Sequence, residues 1–259
     1  MLDSKQDAAA EPAPEEADAP KIITFMSMKG GAGKTISLMA LASGLVERGL
    51  RIAALEADEV TPITKWRKHA LGKETWNPNV FIHQARHAED LPVVFQAIEK
   101  DKVDYVLVDT KGGGSDINQT LILNSQLVIV PSGLDGTEMD ALFETCNYLV
   151  EVVEGAANEI PIVILLNRTP TRESALPVTH RMGLATLIEA ELPVLKTRLP
   201  DRQVHADTAS SGILKRYYEY CRSTPARRLV APEVLKAIRD SEALTDEVLA
   251  ILTTPEETA

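Results

Sequence analysis

The stretch Ile22-Ile23-Thr24-Phe25-Met26-Ser27-Met28 runs directly into Lys29-Gly30-Gly31-Ala32-Gly33-Lys34-Thr35. A helix-like segment then continues from about residue 34 to residue 48. Strand, glycine loop, helix is the order an anion site needs. Glycines let the backbone turn until successive N–H groups face one point. The helix that follows adds its unpaired N-terminal donors. In such a loop Lys34 reaches the outer phosphates of a nucleotide, and the Thr35 hydroxyl is placed to ligand Mg²⁺. Against the spacing G-x-x-x-x-G-K-[ST] the stretch is one residue off. Met28 stands where the first glycine is expected, and Lys29 follows it. By charge alone Lys29 reads equally as an exposed lysine or a phosphate contact.

Outward from this loop, short apolar runs recur at 51–57, 103–109, 127–131 and 160–166, with a weaker one at 80–84. Their Ile, Val and Leu continue without polar alternation, which suits strands covered on both faces. Helix-like stretches separate them, near 61–70, 89–101, 116–124, 136–154 and 178–191. The alternation asks for right-handed crossovers and a parallel sheet. A last short strand is expected near 193–200, and helices near 208–222 and 232–251. The expected fold is α/β: a mostly parallel central sheet with helices on both faces, as one domain over 21–259.

The 259 residues suffice for a substantial core without crosslinks. The two cysteines argue against a disulfide scaffold and cannot supply four thiolates to a cluster. No apolar run reaches membrane-spanning length and no basic-then-apolar leader is present, so a cytoplasmic protein is expected. The net charge of −11 is unevenly spread. Residues 1–20 carry Asp3, Glu11, Glu15, Glu16 and Asp18 against Lys5, with little to build a core, and read as a disordered acidic tail.

Two acidic stretches follow strands. Glu56-Ala57-Asp58-Glu59 ends the second run, and extended geometry puts Glu56 and Asp58 on one side. Val106-Leu107-Val108-Asp109 is an apolar strand that delivers one carboxylate, Asp109, to a metal shell. Lys111-Gly112-Gly113-Gly114-Ser115 comes next; its glycines permit close approach to a phosphate, and permit motion. Lys111 answers either phosphate or nucleic-acid charge.

The run K-G-G-x-G-K-T at 29–35 resembles the deviant phosphate loop of ParA/MinD-type ATPases, which belong with the P-loop NTPases. The resemblance implies ATP and Mg²⁺. It makes Gly30, Gly31, Ala32, Gly33, Lys34, Thr35 and Ile36 the phosphate cradle, although Ile36 stands where Ser or Thr is common. It makes Lys29 the signature lysine that crosses a homodimer interface to the partner's phosphates. Asp58 becomes the residue that orients the attacking water. Glu56, replacing a more usual aspartate, touches the Mg²⁺ shell through water, beside Thr35 and Asp109. The segment 111–115 resembles the second switch. Asn167, after the sixth strand, becomes the adenine reader, and the loop Leu199-Pro200-Asp201-Arg202 packs the base, with Pro200 and Asp201 as its contacts.

Between 196 and 228 stand Lys196, Arg198, Arg202, Lys215, Arg216, Arg222, Arg227 and Arg228, against Asp201, Asp207 and Glu219. Such clustering is the footprint of a phosphate-backbone partner. Together with the ParA resemblance it assigns Lys196, Arg198, Lys215, Arg216, Arg222, Arg227 and Arg228 to DNA binding. Residues 1–20 are too short for a helix-turn-helix domain, and 246–259 have no basic amphipathic face, which disfavours a membrane anchor. The runs TPITKWRKHALGKETWNP (61–78) and DTKGGGSDINQT (109–120) resemble the VirC-type ParA relatives of Agrobacterium plasmids. That resemblance implies transfer-DNA processing with a relaxase complex, and a nucleoid-associated or polar location. An ordinary partition ATPase working with a centromere-binding protein is the alternative. A nucleotide-binding scaffold with little turnover, a metabolic ligase on the same fold and a localisation switch that ignores DNA are the readings from other classes.

Overall fold

The computed structural model describes residues 19–253 apart from Ala157 and Thr171, so the acidic tail expected over 1–20 lies almost wholly outside the described residues. In chain order the elements are β1 (Lys21–Phe25), α1 (Lys34–Glu47), β2 (Ile52–Glu56), α2 (Pro62–Leu71), β3 (Val80–Gln84), α3 (Leu91–Lys100), β4 (Tyr105–Asp109), α4 (Asp116–Leu123), β5 (Leu127–Ser132), α5 (Gly136–Val153), β6 (Ile162–Thr169), α6 (Val178–Glu189), β7 (Leu199–Pro200), α7 (Gln203–Ala206), α8 (Thr208–Ser211), α9 (Leu214–Ser223) and α10 (Ala231–Thr253).

Seven strands form one sheet in the order β3-β2-β4-β1-β5-β6-β7. Every registered pair is parallel. The fold is the α/β arrangement expected, and β1 lies at its centre. Alternate residues of each strand enter opposite cores, which is why the apolar runs lack polar alternation. Ile23, Phe25, Ala54, Leu107, Ile129 and Leu165 point to the side covered by α1, α2 and α10. On the other side Leu55, Val106 and Val108 pack with α3 and α4, and Val128, Val130 and Ile164 with α5 and α6. Both β4 and β5 flank β1, so their C-terminal ends open beside the loop that follows β1. In open α/β sheets, that end of the strands is where ligands bind.

Two expectations are corrected. The helix expected over 208–222 is broken into α8 and α9 at Gly212, whose φ is +92°. A Cβ there would run into Thr75, and the break is pinned by Ile213 N–H donating to Thr75 O (3.0 Å) and by Thr75 Oγ1 donating to Ser211 O (2.8 Å). The strand expected near 193–200 reduces to a bridge between Ile164 and Val194 and the two residues of β7. Between them the backbone turns aside, and Lys196 and Thr197 donate to Glu247 of α10 (2.7 and 2.8 Å) instead of to the sheet.

Helix α1 lies packed between the sheet and α10. Gly44 faces α10 with no space for a side chain, since a Cβ there would collide with Thr245, and Ser241 Oγ donates to Ala40 O (2.5 Å). Replacing Gly44 by valine is expected to destabilise the fold by about 1–3 kcal/mol through overpacking. Urea unfolding checks this: the midpoint should fall with an unchanged slope.

Candidate functional site

The loop 26–33 leaves β1 and returns as α1. Gly31 and Gly33 lie at φ +80° and +97°, in the left-handed region that glycine adopts without strain. The loop's start is fixed by Met28 N–H donating to Thr145 Oγ1 of α5 (3.0 Å). Its end is fixed by Asn167, whose Nδ2 donates to Ala32 O (3.2 Å), and by the exchange between Asn167 and Ser37 of α1 (3.0 and 3.3 Å). A Cβ on Gly33 would strike the Asn167 amide. The Asn167 amide thus clamps the loop as well as lining the neighbouring cleft.

Thr35 at the start of α1 donates to Asp109 Oδ2 at the end of β4 (2.7 Å). Asp109 is buried, and its Oδ1 has no partner. Burial pushes the Asp109 carboxyl up to about 6, against the pull of the Thr35 hydrogen bond and the Lys34 charge. Lys34 is also buried, and burial lowers its pKa although Asp109 and Asp58 act to raise it. One buried ammonium, one carboxylate with a free oxygen and a hydroxyl therefore sit at the mouth of a glycine loop. Hydroxyl and carboxylate oxygens suit a hard cation such as Mg²⁺, and the unpartnered Oδ1 is an acceptor that such an ion would satisfy.

Glu56 departs from the expected metal role. It is fully buried at the end of β2. Its Oε1 accepts from the Ile63 and Thr64 N–H groups (2.6 and 3.4 Å), and its Oε2 from Thr64 Oγ1 (2.8 Å) and Gln84 Nε2 (3.1 Å). The carboxylate is spent on the unpaired donors at the N-terminus of α2. Asp58, two residues on, is half-buried, and its Oδ1 accepts from Val60 N–H (2.9 Å). Arg86, after β3, donates to the Asp58 carbonyl. The Arg86 backbone is held in turn, because its N–H and that of His87 both donate to Asp90 Oδ2 (2.9 Å each). Lys29 is exposed, its Nζ 3.2 Å from Thr137 Oγ1 near the start of α5.

The glycine run after Asp109 lies against the phosphate loop: a Cβ on Gly112 would come within 3.5 Å of Gly30 N. Buried Asn118 of α4 anchors it through Nδ2 to Lys111 O (2.9 Å) and Gly113 O (2.7 Å). Lys111 pairs with Glu59 (3.4 Å), so the loops after β2 and β4 touch through an exposed ion pair, an interaction that salt readily screens.

A cavity of about 110 Å³ opens beside Gly33 and Ile36. Asn167, Pro200, Asp201 and His205 are among its walls. Arg202 and His205, which line it, are held by Asp240 of α10, which accepts from Arg202 Nε (2.6 Å) and lies 3.1 Å from His205 Nε2. Burial works against the Asp240 carboxylate, but those two partners outweigh it and hold its pKa below the usual range.

The basic residues differ in their partners. Arg222, Arg227 and Arg228 gather where α9 meets α10, with Arg228 Nε donating to Arg222 O (3.3 Å). Lys215 sits at the other end of α9 and is paired with Glu47 (2.7 Å), which raises its pKa. Arg216 is exposed beside it. Lys196 and Arg198 lie on the turned-aside segment before β7, next to Glu247. Arg202 is engaged with Asp240 and serves the cleft instead.

Thr145, Ser37, Asn118 and Arg86 were not singled out from sequence. Each is an ordinary helix or loop residue by composition, and only its position across the sheet gives it a partner at the site.

The family model described as VirC1 protein matches residues 20–254. The protein named virC1 from Rhizobium radiobacter is 30% identical over 232 residues, which span 90% of this chain and 99% of the relative. That from Rhizobium rhizogenes is 32% identical over 210 residues, 81% of this chain and 89% of the relative. Among solved structures, the septum site-determining protein MinD of Pyrococcus horikoshii complexed with Mg-ADP aligns with a TM-score of 0.59 at 18% identity, over 91% of this chain and 99% of that one. Apo McdA of Cyanothece aligns with a TM-score of 0.62 at 14% identity, over 86% and 99%. These structures share the fold. Sequence, over nearly the whole described chain, carries the closer relationship: the chain belongs to the VirC1 family, built on the fold of the ParA/MinD-type ATPases.

Proposed function

We propose that this protein is an ATP-hydrolysing switch: a homodimer formed with ATP and Mg²⁺ that binds DNA and promotes transfer-DNA processing with a relaxase complex. The observation that carries the reading is the Thr35–Asp109 pair, with its free buried oxygen, set beside Lys34 at the mouth of the glycine loop. Membership of the VirC1 family supports the transfer role, and the MinD and McdA folds support nucleotide use. Among the described residues no helix is long and apolar enough to cross a membrane.

In this reading the loop N–H groups from Gly30 to Ile36 hold the phosphates. Thr35 and Asp109 are the residues that would hold Mg²⁺, which when bound would supply positive charge beside the outer phosphate oxygens. Lys34 donates to those oxygens, and Lys29, already exposed, reaches the nucleotide of the partner subunit. Asp58 orients water in line with the γ-phosphate, while Arg86 fixes the Asp58 backbone. Asn167 reads adenine by giving up one of its bonds to Ser37, and Pro200 and Asp201 pack the base. Hydrolysis separates the subunits and releases DNA. Arg222, Arg227 and Arg228 are the core of the DNA surface; Lys215 joins it only by leaving Glu47.

The direct test is phosphate release and DNA retention with ATP, with ADP and without nucleotide. DNA retained only with ATP, with affinity falling as salt rises, is expected. Retention indifferent to nucleotide and salt would sink the proposal. Stimulation by a centromere-binding protein and not by a relaxase complex would move the role to partition.

Three further outcomes follow from this reading. Asp58→Asn is expected to lower kcat by about 10²-fold or more while leaving an ATP-dependent dimer in size-exclusion chromatography. Lys29→Ala should bind ATP but fail to dimerise. Arg86→Ala should lower kcat about tenfold with KM little changed, with partial recovery in Arg86→Lys.

A pH effect comes from Asp109. Its folded pKa of about 6 lies above the unfolded value of about 3.9. The folded form therefore keeps a proton that the unfolded form loses. This contribution to stability is present in full below about pH 4 and is lost as pH rises through 6, by on the order of 1–3 kcal/mol. Urea midpoints in EDTA at pH 4 and 7 check it: Asp109→Asn should lose less stability over that interval than the parent protein.

A further inference from the structure

The link between α9 and α10 presents a leucine that the fold does not use. Leu229 is 94% exposed, more than any other large apolar side chain among the described residues. The chain around it is ordered by its own backbone. Arg227 N–H donates to Thr224 O and Val230 N–H to Arg227 O (2.9 Å each), and Ala231 N–H to Arg228 O (3.3 Å). Ala231 is buried and Val230 packs on the cluster between α9 and α10. The leucine therefore sits on a braced turn between two fixed helices.

Its surroundings are cationic. Exposed Arg227 and Arg228 precede it. Arg222 lies over the Tyr218 ring, 5.7 Å from its centre. A shallow groove of about 520 Å³ begins at the same place, lined by Tyr218, Arg222, Arg228, Ala231, Pro232 and Leu235. Glu233, in the first turn of α10, pairs with Lys236 (2.6 Å) and lies 3.9 Å from Arg202. The tip thus combines one apolar side chain with three exposed arginines, Arg222, Arg227 and Arg228.

We propose that Leu229 is a wedge that enters the DNA minor groove and unstacks one base step, while Arg227, Arg228 and Arg222 hold the phosphates on either side. This rests on the DNA-binding reading above and names how that surface grips the duplex. Proteins that kink DNA from the minor groove insert apolar side chains of this size between base steps, next to arginines drawn to the groove's negative potential. A lipid surface fits less well. One leucine on a turn offers far less apolar area than the amphipathic face or paired anchors that stable membrane attachment needs.

The test uses the full chain with ATP and a duplex carrying 2-aminopurine, read by anisotropy and by base fluorescence over a salt series. With the parent protein, the fluorescence of 2-aminopurine should rise as its step unstacks. Leu229→Ser should remove that rise and weaken binding about tenfold without changing the salt slope, since no counterion is involved. Arg228→Ala should weaken binding and lower the slope by about one. Leu229→Trp should bind, with its emission quenched by the duplex. If Leu229→Ser matches the parent in affinity and base fluorescence while Arg228→Ala is impaired, the wedge is overturned and the DNA surface stands. If both match the parent, the DNA surface at this turn fails as well. Leu229-dependent sedimentation with anionic phosphatidylserine vesicles, with no fluorescence change on DNA, would replace the wedge by a lipid contact. A change of oligomeric state in Leu229→Ser would replace it by a subunit contact.

Discussion

The hydrogen bond from Thr35 to Asp109 joins the first helix to the fourth strand, and the site is arranged around it. Neither residue is near the other in sequence. They meet because β4 lies next to β1, so the ends of both strands open into one crevice. Lys34 is carried beside them by the same helix turn. A buried carboxylate with one satisfied oxygen and one free oxygen costs stability in the metal-free protein. The raised pKa of Asp109 expresses that cost. The natural compensation is a ligand that brings positive charge.

Buried polar side chains keep the crevice in shape. Thr145 and Asn167 fix the two ends of the phosphate loop from α5 and β6. Asn118 holds the glycine run that leans on it. Glu56 spends its charge on the start of α2, which sets the direction of the chain leaving Asp58. Each uses a hydrogen bond that a backbone group would otherwise lack, and unpaired groups of that kind are rarely left in protein interiors. The glycines supply conformational freedom, and these anchors remove it again at chosen points.

Helix α10 connects the cleft beside Gly33 and Ile36 to the arginine-rich turn. Asp240 positions Arg202 and His205 on one side of the cleft. Nine residues earlier the same helix begins at Ala231, two residues after Leu229. The α1 side of that helix is packed at Gly44 without spare volume, so α10 cannot shift there without moving α1.

The sheet was legible from apolar runs, because strands covered on both faces carry no polar alternation. The phosphate loop was legible from its glycines and their place between strand and helix. Asp109 could be read as the end of such a strand. Glu56 could not be separated from Asp58 by spacing, since both point the same way; its role was decided by the helix that starts beneath it. The break at Gly212 depended on Thr75 packing from a distant segment, and the grouping of basic residues on the path of α9 and its neighbours. By itself, then, the sequence determined the periodicity and the local backbone freedom, which are properties of adjacent residues. Only the tertiary structure decided which polar groups are satisfied, since their partners come from other strands and helices and burial makes those pairings obligatory.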